Sequence, residues 1–229
     1  MVVALAVAHT NAFVTHAPGW ARARLAALRS APRRLRAGAP RSCAWMNLAA
    51  DEPDVVVVGS CNYDQFVYVP EFAGAGATIY GTEYRTGFGG KGANQCILAS
   101  KLGVKTAMVG ALGNDPIAKD TRDNFKQFGV NTECLVEKAG SSGIAQICVR
   151  DTDGENHIVL VPGANGKICE DDIDAASPLI SRARVVLLQN EIPPRSTLAA
   201  MQAATTEKGA ATRPLVILNA APAPSVGDR

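Results

Sequence analysis

The order of strand-like and helix-like segments is the feature that most constrains how this chain can fold. Val55–Val58 is a run of four β-branched residues that ends at Gly59, which is typical of a strand buried on both faces of a parallel sheet. Helical patterns and further strand patterns follow it in turn along the chain. Because parallel neighbours need a crossover, usually a helix, this order predicts an α/β fold with helices on both faces of the sheet.

Capping residues set the bounds of the predicted helices. The first two cover 93–102 and 116–128, and a glycine directly follows each of them. Asn114 or Asp115 is the expected N-cap of the second helix, with Pro116 in its first turn. The remaining alternating elements are strands at 105–111, 133–137, 185–189 and 215–219, and a helix at 196–208.

Two pairs of segments are typical of antiparallel strands. The segments at 144–150 and 157–161 flank an Asp-Gly turn and predict a hairpin. The segments at 66–69 and 79–84 alternate like exposed strands and interrupt the strand and helix order. They fit either a small β lid over a site or a simple extension of the sheet edge, and the sequence leaves both open.

The run at 87–95, Gly-Phe-Gly-Gly-Lys-Gly-Ala-Asn-Gln, is the strongest candidate for a ligand site. Glycine is expected where the backbone takes positive φ or lies against a ligand with no Cβ between them. Gly87, Gly89 and Gly92 match G-x-G-x-x-G, but the dinucleotide fingerprint directly follows the first strand, which here ends at Gly59. A P-loop would need Ser or Thr after the lysine. A tight turn without a ligand, or a site for a small polar molecule, remains.

Polar side chains follow two of the predicted parallel strands. Asn62 and Asp64 come after the first strand, and their i, i+2 spacing places them on one face of extended backbone. Glu191 directly follows the strand at 185–189, so it is expected at the same edge of the sheet, where open α/β folds bind ligands. Asp64 alone would also fit a surface turn. Together with Lys91 and Asn94, these groups favour a pocket for a neutral polyhydroxylated molecule such as a sugar.

Composition excludes several other classes of function. Six scattered cysteines include no C-x-x-C pair, so buried free thiols are expected rather than a zinc or redox site. Only three histidines are present, which disfavours Ser/His or Cys/His catalysis, and no metal site is predicted. Beyond residue 50 acidic side chains outnumber basic ones, so no nucleic-acid partner is expected. No apolar run is long enough to cross a membrane.

Residues 1–50 have the composition of an organellar targeting leader. They contain seven arginines and no Lys, Asp or Glu. The segment at 2–8 could serve as a short apolar signal ahead of a basic transit segment, so a plastid or mitochondrion is the expected destination. Translation from Met46 is the alternative and would give a cytoplasmic protein. In either case the folded domain is expected to begin at about residue 51.

The motifs together resemble the ribokinases of the PfkB carbohydrate kinase family. The resemblance covers nearly all of residues 54–223 and follows the family's order. The matching segments are Val-Gly-Ser-Cys-Asn-Tyr-Asp (58–64), Phe-Gly-Gly-Lys-Gly-Ala-Asn-Gln (88–95), Gly-Asn-Asp (113–115), Pro-Gly-Ala-Asn (162–165), Leu-Gln-Asn-Glu (188–191) and Leu-Asn-Ala-Ala-Pro-Ala (218–223).

The resemblance implies a three-layer α/β sandwich with a small β-sheet lid, through which members of the family form homodimers. It also implies ATP-dependent phosphorylation of D-ribose at the 5-hydroxyl, with ATP, Mg²⁺ and a monovalent cation such as K⁺. The residues implied to hold the sugar are Asn62, Tyr63, Asp64, Gly90, Lys91, Gly92, Ala93, Asn94 and Glu191. A non-catalytic sugar-binding or regulatory fragment, a kinase for another sugar or nucleoside, and more remotely a nicotinamide-dependent oxidoreductase remain alternatives.

The family's general base lies in a Gly-Ala-Gly-Asp segment that the resemblance places beyond Arg229. The same applies to the nucleotide and monovalent-cation loops, so no catalytic residue is assigned within residues 51–229 and the C-terminal part of the domain is expected to be absent. Loss of a general base typically costs about 10² to 10⁴ in rate. The expectation is therefore a chain that is incomplete and inactive as written.

Overall fold

The computed structural model describes residues 2–3, 52–206 and 213–223. The strands are β1 (Val2–Val3), β2 (Val55–Val58), β3 (Asn62–Val69), β4 (Glu83–Gly89), β5 (Thr106–Leu112), β6 (Leu135–Glu137), β7 (Gly143–Arg150), β8 (Asn156–Val161), β9 (Val185–Gln189) and β10 (Leu215–Asn219). The helices are α1 (Lys91–Lys101), α2 (Pro116–Gln127), α3 (Glu170–Arg182) and α4 (Pro194–Thr206), with a 3₁₀ turn at Gly163–Lys167.

The strands form two sheets. The central sheet has the order β1-β10-β9-β2-β5-β6, and every neighbouring pair in it is parallel. The second sheet has the order β4-β3-β7-β8 and is mixed, because β3 pairs with β7 in parallel while its other pairs are antiparallel. The predicted α/β fold with a separate small sheet is confirmed.

Two hydrophobic cores lie on opposite faces of the central sheet. Val56 and Val58 belong to one core, which α3 and α4 cover, whereas Val57 belongs to the other, which α1 and α2 cover. Because successive side chains of a strand point to opposite faces, a run of valines serves both cores at once. The interpretation of Val55–Val58 as a strand buried on both faces is therefore confirmed.

Helix boundaries follow the capping signals closely. The Asp115 side chain accepts a hydrogen bond from the Ala118 N–H at 3.0 Å, so the predicted N-cap of α2 is confirmed. The sequence reading did not include α3, which contains Pro178. Its start is nevertheless marked by a cap, since the carboxylate of Asp172 accepts hydrogen bonds from both the backbone N–H and the thiol of Cys169.

The second sheet, called the lid sheet below, differs from the predicted lid in its bounds. Its first strand begins at Asn62 rather than 66, and its second covers Glu83–Gly89 rather than 79–84. Antiparallel pairing matches Asn62 with Gly89, which carries the strands into the two candidate motifs. The predicted hairpin at 144–150 and 157–161 forms as β7 and β8 and supplies the other half of the same sheet.

Most of the predicted leader, residues 1–50, lies outside the described residues. Only Val2–Val3 is described, and this pair lies parallel to Val216 and Ile217 of β10. Of the five described cysteines, Cys61, Cys96 and Cys134 are buried, whereas Cys169 is exposed. Within 2–3, 52–206 and 213–223, no helix has the length and apolar character needed to cross a bilayer.

Candidate functional site

The N-terminus of α1 packs directly against the turn that leaves β2. Ala93 donates its backbone N–H to the Ser60 carbonyl oxygen at 2.9 Å. A Cβ on Gly92 would lie 2.7 Å from both the backbone N and the carbonyl O of Ser60. Gly92 and Ala93 are buried, so their part in the candidate site is to let the helix approach this turn. A glycine is needed here for close packing of backbone on backbone.

Gly89 and Gly90 make room for the two polar residues of β3. Gly90 has φ 91°, and a Cβ on it would lie 2.8 Å from the Asn62 backbone N. A Cβ on Gly89 would lie 1.9 Å from Oδ2 of Asp64. Gly87 and Gly89 are part of β4, so the G-x-G-x-x-G match does not form the turn between a first strand and helix that a dinucleotide site requires.

Glu191 brings the end of β9 to the start of α1. Its Oε2 accepts from the Lys91 backbone N–H at 2.8 Å and from the Ser60 hydroxyl at 2.6 Å, and its Oε1 lies 2.6 Å from Lys91 Nζ. Gly90 occupies the N-cap position without a side chain, so the Glu191 carboxylate serves as the cap from elsewhere in the chain. An anion is stabilised at a helix N-terminus by the free N–H groups and the helix dipole.

Asp64 is the second carboxylate of the cluster. Burial raises the pKa of Asp64, and the negative charge of Glu191 raises it further, whereas the Lys91 ammonium lowers it. The charged groups of Asp64, Glu191 and Lys91 are therefore close enough to influence one another. Two carboxylates beside one ammonium offer several hydrogen-bond acceptors and donors to a ligand rich in hydroxyl groups.

Asn62 is buried and tied to a residue 103 positions away. Its Oδ1 accepts a hydrogen bond from Nδ2 of Asn165 at 2.8 Å. Asn165 is itself 1% exposed and also bonds both backbone groups of Cys61. The 3₁₀ turn that carries Asn165 thereby fixes the point at which the chain passes from the central sheet into the lid sheet.

Two of the predicted residues lie elsewhere. Tyr63 alternates with Asn62 and Asp64 along β3, and its ring makes an edge contact with Phe88 at a centroid distance of 5.7 Å. Asn94 is exposed on α1. It lines a cleft of about 340 Å³ together with Phe88, Ile97, Leu98, Lys101, Asn124 and Phe128. Within the described residues, no hydrogen bond joins either side chain to Asp64, Lys91 or Glu191.

The sequence analysis assigned no role to two residues of the cluster, Ser60 and Asn165. Ser60 is fully buried and donates its hydroxyl proton to Glu191 while accepting from the Gly92 N–H at 3.3 Å. Asn165 holds Asn62. Both lie within segments on which the family resemblance rests, 58–64 and 162–165. The signal that the sequence offered for each was a small polar residue between apolar residues.

A metal centre is not formed by the side chains that the structure describes. No group of three or more His, Cys, Asp or Glu side chains is arranged to hold an ion among residues 52–206 and 213–223. Asp64 and Glu191 are two carboxylates, and Glu191 is already bound by Lys91 and Ser60. Their donor set fits hydroxyl groups better than a resident divalent cation, which prefers more oxygen ligands.

A family model and several known proteins match this chain. The model of the pfkB family of carbohydrate kinases matches residues 52–227. Mouse ribokinase is 43% identical over 148 residues, covering 64% of this chain and 46% of its own. A deoxyribokinase of Salmonella typhi is 36% identical over 141 residues, covering 61% and 45%. The chain thus spans about half the length of the curated relatives it matches.

The fold of this chain is also similar to that of a solved structure. Arabidopsis thaliana ribokinase complexed with ribose and ATP aligns with a TM-score of 0.58 and 32% sequence identity. The alignment covers 73% of this chain and 53% of that one. The described part of the chain therefore shares its fold with part of a ribokinase of known structure.

Proposed function

The chain belongs to the pfkB family of carbohydrate kinases, and we propose that it is a ribokinase whose residues Asn62, Asp64, Lys91 and Glu191 hold D-ribose for ATP-dependent phosphorylation at the 5-hydroxyl. The supporting observation is the cluster itself. Hydrogen bonds and close backbone packing converge there from β3, the N-terminus of α1 and the end of β9. Such preorganisation lowers the entropic cost of binding a small polar ligand.

The chemistry of the cluster suits a neutral sugar. Ionised carboxylates accept hydrogen bonds from hydroxyl groups, whereas the Lys91 ammonium and an amide N–H donate to hydroxyl oxygens. A ligand that lacks a hydroxyl would leave a buried partner unpaired, at a cost of about 1 to 3 kcal/mol per group. Selection among sugars is thus expected to follow the number and positions of their hydroxyl groups.

Calorimetric titration of the 229-residue chain with D-ribose tests the proposal directly. Asp64→Ala should weaken ribose binding at least tenfold, which corresponds to about 1.4 kcal/mol. Asp123→Ala is a matched control, because the Asp123 side chain is only half-buried and, among the described residues, pairs only with Lys119 and Lys126 of its own helix. Equal ribose affinity in the wild type and the Asp64 variant would contradict the assignment.

A second candidate is a kinase for 2-deoxyribose, which the deoxyribokinase among the relatives supports. The two sugars differ in one hydroxyl group, so a site that pairs with the 2-hydroxyl should discriminate against the deoxy sugar. Titration with both sugars separates the candidates. Tighter binding of 2-deoxy-D-ribose would favour the deoxyribokinase.

ATP is the proposed phosphoryl donor, which the ribose and ATP bound to the Arabidopsis relative support. Mg²⁺ and a monovalent cation such as K⁺ are proposed to accompany it. When bound, ATP supplies the transferred phosphoryl group and the cations offset its charge. The part proposed for the chain's own residues is to hold the sugar hydroxyls, and ribose binding is measurable without nucleotide.

A homodimer through the lid sheet is proposed for the assembly. β8 is an edge strand of that sheet, and its four consecutive apolar residues are exposed: Ile158 57%, Val159 65%, Leu160 41% and Val161 49%. An exposed apolar edge strand favours pairing with another chain. Val159→Asp should shift the chain to monomer in sedimentation, whereas Leu98→Asp, at a similarly exposed apolar residue on α1, should not.

Import into a plastid or mitochondrion remains a proposal for residues 1–50. Fusion of these residues to a fluorescent protein should direct the fusion to an organelle. A fusion that begins at Met46 is the control and should stay in the cytoplasm. Cytoplasmic fluorescence from both fusions would contradict the proposal.

A further inference from the structure

We propose that Asn165 is a positioning residue that fixes the side-chain amide of Asn62 so that Asn62 presents an N–H donor, not an acceptor, to the sugar. The inference rests on the proposed function for its ligand. Its structural basis is the set of hydrogen bonds among Asn165, Asn62 and Cys61 at the junction of the two sheets.

The amide of Asn165 has only one acceptable orientation. The backbone N–H of Cys61 is a donor, and it points to Asn165 Oδ1 at 2.9 Å. The carbonyl oxygen of Cys61 is an acceptor, and it lies 2.9 Å from Asn165 Nδ2. Exchanging the two amide atoms of Asn165 would set donor against donor and acceptor against acceptor. Backbone groups of Cys61 therefore decide the orientation of the Asn165 amide.

The orientation of Asn62 follows from that of Asn165. The second hydrogen of Asn165 Nδ2 points to the Asn62 amide at 2.8 Å, so the Asn62 atom that faces it is the oxygen. Within the described residues, Asn62 Nδ2 makes no hydrogen bond, and its two hydrogens remain available to a ligand. Asn62 and Asp64 share one face of β3, so a donor lies beside an acceptor.

Gly143 leaves the space in which this contact forms. A Cβ on Gly143 would lie 2.2 Å from Asn165 Nδ2 and 2.4 Å from Asn62 Oδ1. Its backbone φ is not in the left-handed region, so space rather than backbone conformation requires glycine at this position. The connection from β2 to β3, the start of β7 and the 3₁₀ turn after β8 thus meet at the buried amides of Asn62 and Asn165. This gives the amide pair a fixed place relative to the sugar.

A donor next to an acceptor matches two neighbouring hydroxyl groups of a sugar. The oxygen of one hydroxyl accepts from Asn62 Nδ2, while the other hydroxyl donates its proton to the Asp64 carboxylate. Each hydroxyl keeps its second hydrogen-bonding capacity for the other one. An Asn62 amide with the opposite orientation would set two acceptors side by side and lose this match.

Two Asn→Asp substitutions test the orientation by calorimetric titration with D-ribose. Asn62→Asp keeps an oxygen facing Asn165 but replaces the presented N–H donor with an oxygen, and it should weaken ribose binding about tenfold or more. Asn165→Asp sets an oxygen against Asn62, which should turn the Asn62 amide over and weaken ribose binding to a similar extent. Asn131→Asp is the matched control, since in the part of the chain that the structure describes the Asn131 side chain only accepts, through Oδ1, from the Glu133 N–H.

A double-mutant cycle separates positioning from a merely structural role. If Asn165 acts through Asn62, Asn165→Asp should weaken ribose binding in the wild type and have little further effect in the Asn62→Ala background. Equal losses in both backgrounds would overturn the inference, and so would an unchanged affinity of Asn62→Asp. If Asn165→Asp does not fold, Asn62→Asp alone decides. Absence of ribose binding by the wild type would instead overturn the proposed function, and with it the ligand assigned here.

Discussion

Lys91 Nζ lies 2.6 Å from Glu191 Oε1, although 100 positions separate the two residues in the chain. The carboxylate side chain is 7% exposed and also caps α1 through the Lys91 backbone N–H. A buried carboxylate needs such partners, because an unpaired charge in a poorly solvated place is costly. This single contact joins the helix that follows the glycine run to the end of β9, and so assembles the site.

Removal of the ammonium group should therefore destabilise the fold. Lys91→Met keeps the length of the side chain but leaves Glu191 without its charged partner, and we expect a loss of about 1 to 3 kcal/mol in the free energy of unfolding. Urea denaturation of the wild type and of Lys91→Met measures this difference in the free energy of unfolding. Lys119→Met removes an exposed i, i+4 pair with Asp123 and should cost less than about 0.5 kcal/mol. Equal costs for the two variants would contradict a structural role for the buried pair.

Sugar binding should require that residue 89 has no side chain. A Cβ there would lie 1.9 Å from Oδ2 and 2.5 Å from Cγ of Asp64, so Gly89→Ala must displace the whole carboxylate. We expect ribose binding to weaken at least tenfold, or about 1.4 kcal/mol. Gly87→Ala is the matched control in the same strand, because its Cβ would meet only Phe66 Cε2, at 3.8 Å. Similar ribose affinities for both variants would refute this account of the glycine run.

Much of the fold was predictable because its signals are local. The valine run, the Asp115 cap and the glycines after α1 and α2 act through neighbouring residues, and the observed elements begin and end close to the predicted positions. Pro178 inside α3 obscured a helix whose capping residues were present. The bounds of the lid strands depend on pairing between distant segments, which local alternation does not fix.

The site was predictable to the extent that it follows strand ends. Asn62, Asp64 and Glu191 were found because the carboxyl ends of parallel strands meet at one edge of a sheet. Ser60 and Asn165 were not, because their bonds to Glu191 and Asn62 span 131 and 103 positions. The glycine run was attributed to ligand approach, whereas the structure shows that Gly89, Gly90 and Gly92 mainly make room for protein atoms of residues 60–64.

Neutralising Asp64 should stabilise the protein at neutral pH. Burial and the charge of Glu191 raise the pKa of Asp64 above its ordinary value of 3.8, so the native state binds this proton more tightly than the unfolded chain. Stability therefore falls as the pH rises through that range. Asp64→Asn should raise the melting temperature at pH 7, and the gain should vanish below about pH 3.8. A melting temperature of Asp64→Asn below that of the wild type at pH 7 would contradict a raised pKa of Asp64.

Asp115 should show the opposite dependence on pH. Its carboxylate accepts from the Ser142 N–H and hydroxyl, both at 2.7 Å, and from the Ala118 N–H at 3.0 Å, which ties the cap of α2 to the residue before β7. Burial raises the pKa of Asp115, but these hydrogen bonds outweigh burial and hold the pKa below its ordinary value. The stabilisation by the ionised Asp115 carboxylate is present above its ordinary pKa. It is lost as the pH falls through the lowered pKa that Asp115 has in the native state.

Asp115→Ala should cost about 1 to 2 kcal/mol in the free energy of unfolding at pH 7, since it removes a helix cap. The difference from the wild type should shrink as the solution is acidified, because the protonated carboxyl of the wild type then loses the same bonds. Denaturation at several pH values measures both effects. Asp120→Ala, at an exposed position of the same helix, should change stability by less than about 0.5 kcal/mol. A cost of Asp115→Ala that grows on acidification would show that Asp115 does not act as an ionised cap and tether of the lid sheet.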